Sequence, residues 1–441
     1  MNTLIIFLLL VALLLTGMPV SIALGLTVMT FLYTMTSVPM DSIALKLFTG
    51  IEKFEIMAIP FFILAGSFLT HGGVAKRMIR FATSIVGHLP GGLGLAAVLA
   101  CALFASISGS SPATVAAIGS IIMPAMVAQG FPAKFGTGIV STSGGLGILL
   151  PPSIVMVMYA VATSGMLVDG PTGEPVSTAS IGQLFIAGVI PGLVLALMLG
   201  MTTMVRAWKL NYPRQPKASW RERWQAFRES VWGLMLVIIV MGGIYSGVFT
   251  PTEAAAMSAV YAFVIAVFVY KDIKLRDVKK IVLDSAAMSA MLLYIITNAV
   301  MFAFILTSEQ IPQNIAAWIV EQGLGIVAFL LFVNVLLLII GMVMEPSGLV
   351  LIMAPILFPV AMKLGIDPVH FGIMMVVNME IGLATPPVGL NLYVASSISK
   401  LGLTEVTKAT FPWLLTGLAF LMLITFVPDI TLWLPRLTGW L

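Results

Sequence analysis

The chain has 441 residues, 60% of them hydrophobic and 9% charged, with a formal net charge of +4. Soluble globular proteins carry roughly 45–50% apolar and about 25% charged residues, so this chain has too few charges to coat a water-soluble surface. That excludes a soluble enzyme, a disordered chain and a nucleic-acid-binding protein. One cysteine (Cys101) and three scattered histidines leave no disulfide framework and no thiolate or histidine metal site. The composition is that of an all-α polytopic membrane protein.

Residues 3–16 form the first apolar run. No basic residue precedes it, and a second run starts directly after Thr16-Gly17-Met18-Pro19. A retained first span is therefore expected rather than a cleaved leader. Further spans are predicted at 19–37, 54–72, 180–205, 231–248, 252–270, 283–307 and 411–430. Two longer stretches, 92–165 and 325–399, are interrupted in their middles by Gly, Pro, Ser and Thr and do not parse as simple spans.

The segment 206–230 is charged and carries Trp208, Trp220 and Trp224. It reads as a cytoplasmic linker between a first half (1–205) and a second half (231–441), with the indoles at headgroup level. With the N-terminus outside, eighteen of the twenty-two Lys and Arg residues fall on the inner side. Only Lys46, Lys53, Lys363 and Arg436 remain outside. This bias sets the expected topology, with both termini periplasmic, and it accounts for the basic charge.

The interrupted stretches repeat each other. Pro112 and Pro346, Pro124 and Pro359, Pro132 and Pro368, and Pro152 and Pro387 are separated by 234, 235, 236 and 235 residues. The first stretch begins on the inner side and the second on the outer side, so the two copies are inverted. Each contains a re-entrant hairpin (92–128 and 325–363) followed by a discontinuous helix (135–165 and 370–399). Inverted repeats with broken helices near the bilayer midplane mark secondary transporters.

Pro151-Pro152 and Pro386-Pro387 each remove two amide donors, which frees carbonyls one turn earlier. Such backbone survives in a membrane only inside protein or beside water or a ligand. Freed carbonyls with hydroxyls suit a dehydrated alkali cation, and free amides at half-helix starts suit a carboxylate. Candidate ligands are Ser108, Ser110, Ser111 and Thr114 at the first tip, and Ser141, Thr142 and Ser143 at the first break. Their counterparts are Ser347, Asn378, Thr385 and Asn391. Each hydroxyl has an alternative role, back-bonding to its own helix. Glu345 and Glu380 are open to cation binding, proton carriage, anion repulsion or a structural hydrogen bond, whereas Glu253 reads as a helix cap. There is no Walker motif, no phosphate loop and no His within reach of Ser111, so neither ATP-driven pumping nor serine hydrolysis is encoded.

The run Gly341-Met342-Val343-Met344-Glu345-Pro346-Ser347, the later Leu364-Gly365-Ile366-Asp367-Pro368, and Gly382-Leu383-Ala384-Thr385-Pro386-Pro387-Val388-Gly389-Leu390-Asn391 together resemble a known family. So does Ser108-Gly109-Ser110-Ser111-Pro112-Ala113-Thr114 in the first half. The family is the DctM-type large membrane subunit of tripartite ATP-independent periplasmic (TRAP) transporters. The resemblance implies an elevator-type symporter of the inner membrane, with a scaffold and a moving body, and no cofactor beyond Na⁺ as coupling ion. It also implies a small four-helix membrane partner (DctQ-like), a periplasmic substrate-binding protein (DctP-like) and an organic acid cargo. Glu345 with Pro346-Ser347 is similar to the C4-dicarboxylate branch.

On this reading one Na⁺ lies between the first tip (Ser108, Ser110) and the first break (Gly144, Gly147). A second lies between the second tip (Glu345, Gly348) and the second break (Gly382, Thr385). The substrate meets Ser110, Ser111, Pro112, Thr114, Glu345, Ser347 and Asn391. The alternative class is an anion channel that uses the hairpin tips as a filter.

Overall fold

The computed structural model describes residues 2–35, 45, 47–49, 52–166, 168–311, 314 and 325–441. The end of the span expected at 19–37, and Lys46, lie outside these residues. In chain order the α-helices are α1 (Asn2–Leu15), α2 (Val20–Met35), α3 (Ala58–His71, entered through a 3-10 turn at Phe54–Met57), α4 (Val74–Val86), α5 (Gly92–Ser108), α6 (Ser111–Ala128), α7 (Ala133–Ser143), α8 (Leu146–Leu149), α9 (Ile154–Thr163) and α10 (Ile181–Lys209). They continue as α11 (Trp220–Tyr245), α12 (Pro251–Val264), α13 (Leu275–Ser308), α14 (Ile326–Gly341), α15 (Pro346–Lys363), α16 (Pro368–Leu383), α17 (Leu390–Ser399), α18 (Leu403–Phe426) and α19 (Asp429–Leu437). Eight of the described helices are long and apolar enough to cross a membrane. A ninth span is formed if the bent pair Ala133–Leu149 and Ile154–Thr163, angled by 43°, is counted as one.

Local chemistry sets the helix ends. Capping boxes start α10 (Ser180 with Gln183), α11 (Ser219 with Glu222) and α12 (Thr250 with Glu253). Each satisfies two amides that have no partner within the helix, and Glu253 is thereby the cap expected of it. Pro251, Pro346 and Pro368 open α12, α15 and α16, where a missing N–H costs nothing.

The two expected hairpins are present. α5 and α6 form the first, and Gly109 takes a left-handed φ of +60° at its tip. α14 and α15 form the second. Both broken helices are present too. The first runs through α7, α8 and α9, the second through α16 and α17, and both Pro-Pro bonds are cis. The copies interlock: α17 packs on α6 and α7, α9 packs on α15, and α18 packs on α7.

A second group of helices stands beside this body. α12 lies along α3, and α13 packs on α2 and α3. Asn298 of α13 fits against Gly25 of α2, where a Cβ would lie 2.8 Å from its Oδ1. On the basic side, Arg77 of α4 pairs with Asp272 at 2.6 Å and lies 3.8 Å above the Tyr270 ring, and Arg80 pairs with Glu229 of α11.

Three features differ from the sequence reading. The expected linker at 206–230 is helical at both ends, because α10 continues to Lys209 and α11 begins at Trp220. Only residues 210–219 connect them. The capping box at Ser219 explains the early start. The other two are α4 and α19, which are short amphipathic helices. They carry charge on one face and so do not register as apolar runs.

The close approach of hairpins to breaks gives a stability prediction. A Cβ on Gly147 would lie 2.6 Å from the Ser110 carbonyl oxygen. One on Gly382 would lie 2.8 Å from the Gly341 carbonyl, and one on Gly242 would meet nothing within 4 Å. Gly147→Val and Gly382→Val should each cost about 1–3 kcal/mol by overpacking, read as lower melting temperatures of purified protein. Gly242→Ala should melt no lower than wild type.

Candidate functional site

The Pro-Pro pairs act on the backbone as their chemistry requires. In an unbroken helix, residues 151 and 152 would donate to the carbonyls of Gly147 and Ile148. The Ser153 hydroxyl replaces one of these bonds, donating to the Ile148 carbonyl at 2.6 Å. The Gly147 carbonyl has no hydrogen-bond donor among the described residues. At the second break the Thr385 amide donates to the Gly382 carbonyl at 3.0 Å, and the Leu383 carbonyl has no donor among the described residues. Both residues are buried. Each break therefore presents a bare carbonyl of the kind a dehydrated cation coordinates.

Each break sits against a hairpin. At the first junction, Ser108 and Thr114 share a hydroxyl–hydroxyl bond of 2.8 Å, and Thr114 also donates to the Ser110 carbonyl at 2.8 Å. A Cβ on Gly147 would lie 2.8 Å from the Thr114 hydroxyl, and one on Gly144 would lie 3.4 Å from the Ser111 carbonyl. Ser108, Ser110, Thr114, Gly144 and Gly147 thus converge. Ser111 and Thr114 are fully buried, while Ser110 and Pro112 are partly open.

At the second junction the Gly389 amide donates to the Met342 carbonyl at 3.1 Å, and Gly341 touches Gly382. Glu345 caps α15. Its carboxylate accepts from the Ser347 hydroxyl at 2.6 Å and the Gly348 amide at 3.3 Å, and the residue is exposed. The hydrogen bonds of Glu345 thus go to the start of its own helix and not to the break. Thr385 back-bonds to Ile381 at 2.6 Å. Gly348 is not against the break; its nearest neighbour is Val20 of α2, 3.4 Å from where a Cβ would stand.

Asn391 joins the two repeats. Its amide donates to the Ser111 hydroxyl at 2.8 Å and to the Ser141 carbonyl at 3.1 Å, and its Oδ1 is buried without a partner. Glu380 is also buried, with Oε2 unpartnered. It fills the notch at Gly145, where a Cβ would lie 2.6 Å from its Oε1. Ser143 has a buried, unpartnered hydroxyl. Ser141 and Thr142 back-bond to their own helix.

One polar ladder escaped the sequence reading. Asn378 donates to Asn334 at 2.8 Å, and Asn334 donates to Thr425 at 2.9 Å, linking α16, α14 and α18. The available signal was a lone Asn in the otherwise apolar α14. Among the described residues no group of three His, Cys, Asp or Glu side chains is arranged to hold a metal ion.

Comparison with known proteins bears on what this geometry serves. Residues 7–430 match the family model described as the tripartite ATP-independent periplasmic transporter, DctM component. The C4-dicarboxylate TRAP transporter large permease protein DctM of Rhodobacter capsulatus is 71% identical over 439 residues, covering 100% of both chains. The protein of the same name from Pseudomonas aeruginosa is 51% identical over 398 residues, covering 90% of each. The crystal structure of the Alcanivorax borkumensis YdaH transporter, titled as having an unusual topology, aligns over 90% of both chains. Its TM-score is 0.62 at 15% identity, a likeness of fold alone.

The Asn391 bridge is testable by a double-mutant cycle. Asn391→Leu should cost about 1–3 kcal/mol, because it leaves a buried carbonyl and a hydroxyl short of a donor. Ser111→Ala should cost less, since the bond to Ser141 survives. The double variant should cost less than the sum of the two, as expected of side chains in contact. Strict additivity in the melting data would mean the bond carries no coupling.

Proposed function

We propose, from the premise that this chain belongs to the DctM family of tripartite ATP-independent periplasmic transporter components, that it is the large permease subunit of a sodium-coupled importer of a C4-dicarboxylate. It works with a small four-helix membrane subunit and a periplasmic binding protein that delivers the cargo. It lies in the bacterial inner membrane with both termini on the periplasmic side. The single observation that carries this reading is the pair of hairpin–break junctions, each with a bare carbonyl. The substrate class is supported by the names of the two relatives described above.

Electrostatics connects the junctions to coupling. A C4-dicarboxylate brings two negative charges at neutral pH, and no Lys or Arg lies between residues 81 and 133 or between 325 and 362. Transferring that dianion into a low-dielectric body costs several kcal/mol unless cations accompany it. One Na⁺ at the first junction takes the Gly147 carbonyl with the Ser108–Thr114 hydroxyls. A second takes the Leu383 carbonyl with groups around Gly382 and Thr385. A cargo carboxylate lies against the start of α6, whose amides and helix dipole favour negative charge, whereas the start of α15 is already capped by Glu345. With the charges balanced, the body of hairpins and broken helices slides along the α2–α3–α12–α13 scaffold as an elevator. Ser111 and Asn391 hold the two halves of the cargo site in one register.

The test is uptake of labelled succinate by proteoliposomes holding the three components. Replacing external Na⁺ by K⁺ should reduce uptake by roughly tenfold or more, and omitting the binding protein should abolish it. Ser111→Ala and Thr385→Ala should each raise the Na⁺ concentration giving half-maximal rate. Undiminished uptake in K⁺ would refute sodium coupling, and unchanged Na⁺ dependence in both variants would remove Thr385 from the second cation site and any influence of Ser111 on the first.

A further inference from the structure

Lys53 is one of the few basic residues on the outer side, and the transport reading above gives it no part. It immediately precedes the Phe54–Met57 turn that leads into α3, and the Thr252 hydroxyl of α12 anchors that turn by donating to the Phe54 carbonyl at 3.3 Å. Lys53 therefore belongs to the scaffold. Its ammonium reaches across to the body of broken helices, donating to the Ser164 carbonyl at 2.9 Å and the Val161 carbonyl at 3.3 Å. These carbonyls belong to the last turn of α9 and to its C-cap Ser164, where a cation is favourable. Among the described residues no carboxylate lies within 4 Å of it. The side chain lines a cavity of about 370 Å³ between the end of α9, Ala299 and Ala303 of α13, and Leu351 and Pro355 of α15. Burial pulls its pKa below the ordinary lysine value, and the nearby Glu55 carboxylate opposes that pull.

α3 serves as a ruler for where the cargo site stands. A Cβ on Gly66 would lie 3.0 Å from the Ser108 carbonyl oxygen, so the first tip rests beside Gly66. Thirteen residues separate Gly66 from Lys53, about 20 Å of helix at 1.5 Å per residue. The second tip touches Val20, the first residue of α2, which in the proposed topology is also a cytoplasmic end. Both tips thus stand toward the cytoplasmic side of the scaffold, with Lys53 at the opposite end. The ten residues of α9, about 15 Å, bridge most of that interval, because its start lies beside the first tip. A Cβ on Gly109 would lie 3.1 Å from the Pro152 carbonyl and 3.6 Å from Ile154.

Resting on the elevator reading, we propose that Lys53 is a substrate contact carried by the scaffold. It is parked on the α9 carbonyls while the tips are at the cytoplasmic end, and it pairs with a cargo carboxylate when the tips rise to its level. An outward slide of about 20 Å along α3 draws α9 past Lys53 and brings the first tip to it. The ammonium then exchanges two neutral carbonyl acceptors for a carboxylate, a stronger partner. The ion pair exists only in the outer position, so it strengthens loading from the binding protein. Moving inward removes it, which weakens affinity where the cargo must leave. The carbonyls of α9 keep the ammonium satisfied during that half of the cycle.

The test uses three-component proteoliposomes carrying Lys53→Met or Lys53→Arg, with Michaelis constants measured separately for outer loading and for counterflow from the cytoplasmic face. Lys53→Met should raise the outer KM for succinate roughly tenfold or more, leaving the cytoplasmic KM and the Na⁺ dependence unchanged. Lys53→Arg should retain the wild-type asymmetry, because it keeps the charge. Equal change on both faces, or none on the outer face, would overturn the proposal.

Disulfide cross-linking separates failure of this proposal from failure of the elevator reading, and Cys101, the single native cysteine, is fully buried. Lys53→Cys with Ser164→Cys should cross-link in the arrangement described here. Lys53→Cys with Ile154→Cys should cross-link only during turnover. If the second pair never forms, the slide itself is refuted. If it forms while Lys53→Met leaves the outer KM unchanged, the slide stands and the Lys53 contact falls.

Discussion

A peptide carbonyl without a donor is expensive to keep away from water, at several kcal/mol in hydrocarbon. In the proposed mechanism the cargo site depends on that cost being met at the Gly147 and Leu383 carbonyls. The two Pro-Pro pairs create the deficit, and the protein repairs it only in part. Ser153 donates to Ile148, and the Thr385 amide donates to Gly382. The hairpin tips are then pressed so close to the breaks that Gly147 and Gly382 have no room for a side chain. In the proposed mechanism the remaining deficit is met by cations that arrive with the cargo. Substrate-free and cation-free states are then less comfortable than loaded ones, which is the differential affinity that coupled transport needs.

The inverted repeat makes the two junctions similar without making them equal. Positions 145 and 380 differ by 235, the spacing of the repeat, and they meet one another: Glu380 of one copy fills the notch left by Gly145 of the other. Asn391 has no polar counterpart at the matching position, Met156, and its amide reaches across to Ser111 and Ser141. The first tip is buried and hydroxyl-lined, whereas the second is open, with Glu345 at its surface. In the proposed mechanism this asymmetry gives the dianion one enclosed side and one accessible side.

Much of the architecture was readable from the residues because proline and glycine act locally. A Pro-Pro pair breaks a helix whatever surrounds it, and Gly109 or Pro346 marks a tip by its own backbone preference. Helices α4 and α19 and the helical ends of 206–230 were less readable, because charged residues mask helices when apolar runs are the signal. Individual ligands were the least readable. Glu345 folds back to cap its own helix, Gly348 faces α2, and the Asn334–Asn378–Thr425 ladder exists only once three helices are packed. Lys53 left a trace, a positive charge on what is the outer side in the proposed topology, where the positive-inside rule disfavours one. Its partners, however, are carbonyls more than a hundred residues away.

The account stands or falls on whether the bare carbonyls at the breaks bind sodium in the folded protein. The direct measurement is the unfolding midpoint of the purified chain against NaCl and against KCl at matched ionic strength. A ligand that binds only the native state adds about 1.4 kcal/mol per site for each tenfold rise in concentration above its dissociation constant. The account predicts a midpoint that climbs with NaCl and stays level in KCl. Superimposable curves in the two salts would contradict it.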